Sequence, residues 1–137
     1  MPNWCENRVS ITGDADQVKE FIELVRGEGE EGAFSFQAID PMPDELLETT
    51  APSEDGLNWY FWRVNNWGCK WDVGETDYYD ADDDGYVQYE FMTAWGPPNG
   101  IYDTLCEKFP DLDISWFYHE PGCQLAGYLS NIIAESL

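Results

Sequence analysis

The feature that most restricts the fold is a change of hydrophobic period near the start of the chain. In NWCENRVSIT (3–12), Trp4 aside, Val9 and Ile11 share one side while Arg8, Ser10 and Thr12 take the other, the two-residue repeat of a strand with one covered face. Immediately afterwards Val18, Phe21, Ile22 and Val25 recur at helical spacing through DADQVKEFIELVRG, with Gly13-Asp14 as break and cap and Gly27 as stop. A strand that hands straight on to a one-sided helix buries both apolar faces only if the two pack in layers, which points to an α+β plan.

The rest of the chain fits that plan. GEGEEG (27–32) reads as a solvated loop, and AFSFQAI (33–39) alternates as a second strand ending at Asp40-Pro41-Met42-Pro43. Residues 44–57, DELLETTAPSEDGL, begin with a helical turn and then lose periodicity at Pro52 and Gly56, as a variable insertion loop would. NWYFWRVNNWG (58–68) places Trp59, Trp62 and Val64 near helical spacing, with Gly68 as C-terminal cap. From Lys70 to Trp95 the period returns to two, with Trp71 and Val73 on one arm and Val87, Tyr89 and Phe91 on the other. The expected hairpin has an acidic tip at 76–85. Pro97-Pro98 opens a helix, NGIYDTLCEKF, with Ile101, Leu105 and either Cys106 or Phe109 inward. A second hairpin has strands near 112–119 and 123–129 around Glu120-Pro121-Gly122. The expectation is one ferredoxin-like α+β domain over 1–137. Its sheet is mainly antiparallel, with two helices on one face plus a short extra helix and an added hairpin. The opposite sheet face is left for a second packing layer or a binding surface.

Charge decides which partners such a face can meet. Twenty-eight Asp and Glu against six Lys and Arg give −22, far beyond the magnitude of roughly 2–8 usual for a small soluble domain. Direct binding to nucleic acid or to an anionic membrane is disfavoured: Arg8, Lys19, Arg26, Arg63, Lys70 and Lys108 are scattered and form no basic stripe. A basic partner is favoured. The acidity is most one-sided over 72–90, where Asp72, Glu75, Asp77, Asp80, Asp82, Asp83, Asp84 and Glu90 occur with no Lys or Arg. Further clusters lie at Glu28/Glu30/Glu31 and Asp44/Glu45/Glu48/Glu54/Asp55. B-DNA carries one charge per about 1.7 Å of axis, so ordered carboxylates can imitate it for a protein that binds phosphates. Solubility or adaptation to salt is the plainer explanation of the same charge.

Other chemistries find less in the sequence. DADDDGYVQYEF places Asp80, Asp82 and Asp84 at positions 1, 3 and 5 of an EF-hand-like loop, with Gly85 at 6. Position 12 is Phe91 where calcium needs a bidentate carboxylate, and the flanks read as strands. The expectation is a hairpin turn and no metal, with these three residues the weak alternative. His119, the single histidine, stands near Cys123, so a Cys/His pair can be drawn, without a third group to orient it. No phosphate loop, GxSxG or HExxH motif appears, and no cofactor is expected. Trp67, Gly68, Trp71 and Trp95 could line an aromatic ligand cleft, with core packing as the alternative. Four cysteines without a CxxC pair or a leader-like start read as reduced, buried thiols in a cytoplasmic protein.

Taken in order, MPNWCENRVSITG, FSFQAIDPMP, NNWGCKWD, FMTAWGPP and FPDLDISWFYHEPG resemble the YubB ferredoxin-like domain family, small proteins carried by plasmids, phages and prophages. The resemblance spans nearly the whole chain except 44–57 and the acidic tip at 77–85. It implies a ferredoxin-like fold and an accessory gene of a mobile element in a bacterial cytoplasm. The expected function is that of a non-enzymatic acidic accessory protein that blocks a basic, nucleic-acid-binding host or element protein. Asp80, Asp82, Asp83 and Asp84 would lead, supported by Asp72, Glu75 and Asp77. The alternatives are a ligand- or calcium-binding domain and, third, a small enzyme at His119 and Cys123.

Overall fold

Strand β1 (Trp4–Thr12) forms the middle of a five-stranded antiparallel sheet. The computed structural model describes residues 3–46, 58–122 and 124–129. The sheet order is β2 (Thr76–Ala81), β3 (Tyr86–Ala94), β1, β4 (Asp113–Glu120), β5 (Leu125–Tyr128). β1 pairs with β3 in the register Val9↔Tyr89 and with β4 in the register Val9↔Trp116. Between β1 and β2 the chain passes through α1 (Ala15–Arg26), the short α2 (Phe36–Ile39), a 3-10 turn at Asp44–Leu46, and α3 (Trp59–Asn66). β3 and β4 are joined by α4 (Asn99–Lys108). Each half thus sends a helix over the sheet before the next strand is added, the split βαβ arrangement.

Odd-numbered residues of β1 and β3 make the covered face. Val9, Ile11, Val87, Tyr89 and Phe91 lie beneath Val18, Phe21 and Val25 of α1 and Ile101, Tyr102 and Leu105 of α4. Phe21 meets Tyr89, and Tyr102 meets Trp116 edge-on. Phe34 is the hub of the core, its ring within 4.8–6.3 Å of those of Phe36, Tyr89, Phe91 and Trp116. Such pairs add about 0.5–1.5 kcal/mol each beyond their area burial. One polar cluster is buried with them. Asn7 accepts from Trp116 Nε1 at 3.0 Å and donates to Thr93 Oγ1 at 2.8 Å, so an amide that would be costly unpaired is satisfied.

Caps account for the helix ends. The Asp14 side chain accepts from Gln17 N–H, and Gly68 at φ 93 closes α3 with its N–H on Arg63 O.

Three expectations are corrected. AFSFQAI is not a strand: Ser35 caps the turn Phe36–Ile39, and both terminal residues of that turn are buried. The alternation of Phe34 and Phe36 arises where an extended residue runs into a helical one. Lys70–Glu75 is a loop rather than a hairpin arm, because Asp72 is turned inward to hold α2. The acidic segment 76–85 is mostly strand β2, and only Asp82–Gly85 forms the turn. Of the 44–57 insertion, Asp44–Leu46 is the 3-10 turn and 47–57 lie outside the described residues.

Candidate protein-interaction face

The side of the sheet that carries the even-numbered residues of β1 and β3 and the odd-numbered residues of β4 has no layer over it among the described residues. One cross-strand rung crosses all five strands through Tyr78, Glu90, Arg8, Phe117 and Tyr128. Tyr78 and Tyr128 are 46% and 69% exposed, and the Phe117 and Tyr128 rings lie 5.3 Å apart. Arg8 Nε reaches Glu90 Oε1 at 3.6 Å, and its guanidinium lies 5.9 Å from the Phe117 ring centre. Alongside runs a polar row in which Tyr86 Oη donates to Gln88 Oε1 at 2.6 Å and Gln88 Nε2 donates to Glu90 Oε2 at 3.2 Å. A hollow of about 240 Å³ opens here among Glu6, Arg8, Asp77, Glu90, Met92 and Phe117.

Carboxylates dominate this face. Glu6, Asp77, Asp80, Glu90 and Asp113 belong to it by register or by lining that hollow, and Arg8 is its one arginine or lysine among the described residues. Three further cations have partners of their own. Arg26 pairs with Glu23 at 3.2 Å, Arg63 stacks between Trp59 and Trp67, and Lys70 Nζ lies 4.4 Å from the Trp71 ring centre. On the sheet face itself Arg8 is paired with Glu90, and His119 lies 3.3 Å from Glu6.

The seven acidic residues singled out from the sequence divide into two kinds. Asp72 accepts from Phe36 N at 2.7 Å, Gln37 N at 3.1 Å, Ser35 Oγ at 3.3 Å and Val73 N at 2.7 Å, so it is the N-terminal anchor of α2. Asp82 Oδ1 accepts from Asp84 N and Tyr86 N and turns the hairpin. Glu75, Asp77, Asp80, Asp83 and Asp84 are exposed to solvent. The turn is also fixed in space: Gly13 N donates to Gly85 O at 3.1 Å, and a side chain at Gly85, φ 99, would run into the Gly13 carbonyl.

The same geometry bears on calcium. The position-3 carboxylate is bonded to its own backbone, Phe91 at position 12 is core, and no cluster of three metal-ligating residues occurs among the described residues. His119 Nδ1 lies 3.3 Å from Glu6 Oε2 at the open face. Its proposed partner Cys123 lies outside the described residues. Burial pushes the Cys5 thiol up to about 11 and Cys69 to about 12, and it raises Cys106 as well, so these thiols stay protonated and poorly nucleophilic near neutrality.

The residues of the suggested aromatic cleft differ widely in burial. Trp67 is fully buried and donates Nε1 to Asp40 O at 2.8 Å. The missing side chain of Gly68 makes room for the Asn99 backbone at the start of α4. Trp95 is 51% exposed and left-handed, φ 73, its N–H on Asn3 O. Trp71, 40% exposed, meets Trp4 in a tilted contact, 6.2 Å between ring centres. Trp4 belongs to the open face and was missed, although its phase with Arg8 and Ser10 was the signal. Arg8, Glu90, Phe117 and Tyr128 were likewise passed over, because their rung exists only once five strands are in register.

Sheet order, helix placement and uncovered face together define a ferredoxin-like α+β domain. Residues 70–131 match the family model described as the ferredoxin-like domain in Api92-like protein. The crystal structure of a protein api92 from Yersinia pseudotuberculosis is similar over 93% of each chain, with a TM-score of 0.65 at 12% identity, and so shares the fold. No curated protein matches the chain. No helix among the described residues is long and apolar enough to cross a membrane.

Proposed function

We propose that this chain is a non-enzymatic, cytoplasmic accessory protein of a mobile genetic element that occupies a basic, nucleic-acid-binding surface of a host or element protein. The observation that carries the reading is the segment 72–90, which holds eight carboxylates and no Lys or Arg and runs through β2 at one edge of a sheet face whose single arginine is already paired. Asp80, Asp83 and Asp84 lead the contact, with Glu75 and Asp77 beside them. Asp72 and Asp82 hold the scaffold. The resemblance to the YubB family supports the mobile-element setting.

Charge spacing adds a requirement. Same-face residues of a strand stand roughly 6.8 Å apart, coarser than the one charge per about 1.7 Å of B-DNA axis. A single strand is too sparse to mimic DNA, so Glu6, Glu90 and Asp113 on the neighbouring strands must contribute.

The test is capture from bacterial lysate on the immobilised chain, followed by a salt titration and elution with duplex DNA. The expected result is a basic, nucleic-acid-binding protein held at about 50 mM salt and released by about 0.5 M salt or by the duplex. Retention should fall for Asp80→Asn/Asp83→Asn/Asp84→Asn. If no basic protein is retained even at low salt, the reading is wrong. A second reading, a ligand site at exposed aromatic residues, draws on the Trp4–Trp71 contact.

A further inference from the structure

Where β1 begins, beside the entry to β2, a hollow of about 320 Å³ lies among Trp4, Gly74, Glu75, Asp77 and Met92. Trp4 is 47% exposed and meets Trp71 in a tilted contact, 6.2 Å between ring centres and 33° between planes. Gly74 meets nothing within 4 Å where a side chain would be, so the mouth is open on that side. The lining thus offers an indole face, a thioether and two exposed carboxylates, with no cation among the five residues.

That donor set selects a ligand class. An anion is repelled by Glu75 and Asp77. A divalent metal lacks a third ligating side chain. A neutral apolar molecule would use the indole and leave both carboxylates idle. An organic cation would use everything: the carboxylates and the indole, through a cation–π contact of roughly 6 Å reach, would receive its head, and Trp4 and Met92 its alkyl stem. The neighbouring indole already does this inside the molecule, since Lys70 Nζ lies 4.4 Å from the centre of the Trp71 ring that Trp4 meets. Asp77 and Met92 also line the adjoining hollow with Glu6 and Glu90, so a second cation further along the same ligand meets more carboxylates.

We propose that Trp4, Glu75, Asp77 and Met92 form a binding site for an alkylammonium or guanidinium group, of the kind presented by lysine and arginine side chains and by free polyamines. The site rests on the proposed function and deepens it by naming where one basic side chain of a partner is received.

The probes are a capped tetralysine peptide, spermidine and tetramethylammonium chloride, titrated at constant ionic strength against the full chain while the tryptophan indole N–H resonances are followed. Saturable shifts at the Trp4 indole are expected, as is at least tenfold weaker tetralysine binding in Glu75→Gln/Asp77→Asn. Trp4→Leu, read by calorimetry, should lose at least tenfold as well. These side chains are exposed, so the variants should melt as the parent does. Tighter binding of tetralysine than of spermidine identifies a protein segment as the source of the cation, and the reverse order identifies a polyamine. No saturable Trp4 shift with any probe, or equal affinity in Trp4→Leu, overturns the site.

The two proposals fail separately. Asp80→Asn/Asp83→Asn/Asp84→Asn should lose the lysate partner yet keep the tetralysine shift at Trp4. Trp4→Leu losing tetralysine while keeping the lysate partner at unchanged salt resistance would leave the charge reading standing and remove this site from the partner contact.

Discussion

Asp72→Ala should destabilise the fold even though it removes one charge from a chain carrying −22. The carboxylate receives two helix N–H groups, Phe36 at 2.7 Å and Gln37 at 3.1 Å, besides Ser35 Oγ and Val73 N. Hydrogen bonds to a charged acceptor contribute about 1.5–3 kcal/mol. Asp72 is only half-buried, so water takes part of its place and the lower end applies to each helix bond. Two such bonds give about 3 kcal/mol, somewhat above the roughly 0.5–2 kcal/mol of an exposed N-cap substitution. Relief of surface repulsion returns no more than about 0.5 kcal/mol. With a urea m-value of about 2 kcal/mol/M, the midpoint should fall by about 1–1.5 M. Asp72→Asn keeps one acceptor oxygen and should fall about half as far. Asp83→Asn, at an exposed turn position, should leave the midpoint unchanged or raise it. The check is equilibrium urea unfolding followed by tryptophan fluorescence. Coincident midpoints for Asp72→Ala and Asp83→Asn would show that the carboxylate does not hold α2.

Trp116→Phe removes the donor to Asn7 Oδ1 and leaves a buried amide oxygen unpaired, at about 1–3 kcal/mol plus the void left by the smaller ring. Calorimetry should show a fall in Tm of roughly 8 °C, and a variant within about 1 °C of the parent would remove the Asn7 network from the account. Burial raises the Asp40 carboxyl above its ordinary 3.8, with Lys108 opposing. The folded chain therefore holds that proton more tightly than the unfolded one, and stability falls as pH rises from the ordinary value through the raised folded value. Acidifying from neutrality toward the ordinary carboxylate range should raise Tm as repulsion among carboxylates also eases. Asp40→Asn should gain less, and a parent Tm that falls over this range contradicts the sign.

The elements legible in the sequence were those whose periodicity comes from one strongly covered face. Val9 and Ile11 in β1, Val87 to Phe91 in β3, and the apolar stripes of α1 and α4 each state which side is buried. Phe34 and Phe36 mimic the same signal, while the group that makes Phe36 helical is Asp72, 36 residues away. No local pattern contains that information. Trp71 and Val73 misled for the matching reason, because the residue between them is committed to a distant helix. Within the candidate site the excess of negative charge was plain. Its division into free carboxylates and ones bonded to the backbone was not, since Asp82 and Asp83 are identical in sequence terms and differ only in the direction of the turn. Trp67 takes the core-packing alternative to a cleft, while Trp4, set apart from the alternation of β1, lies on the open face.

The central position of β1 has a consequence for how the molecule is made. Its two partners come late: the Asn7–Thr93 bond spans 86 residues and the Trp116–Asn7 bond spans 109. During synthesis β1 leaves the ribosome with both edges open and stays so until β3 and then β4 have followed, the interval in which an unpaired strand finds wrong neighbours. Long-range closure of this kind should make refolding slow, with the sheet forming in one late step around β1. The dense negative charge then acts earlier than any partner does, keeping nascent copies of the chain apart while β1 waits.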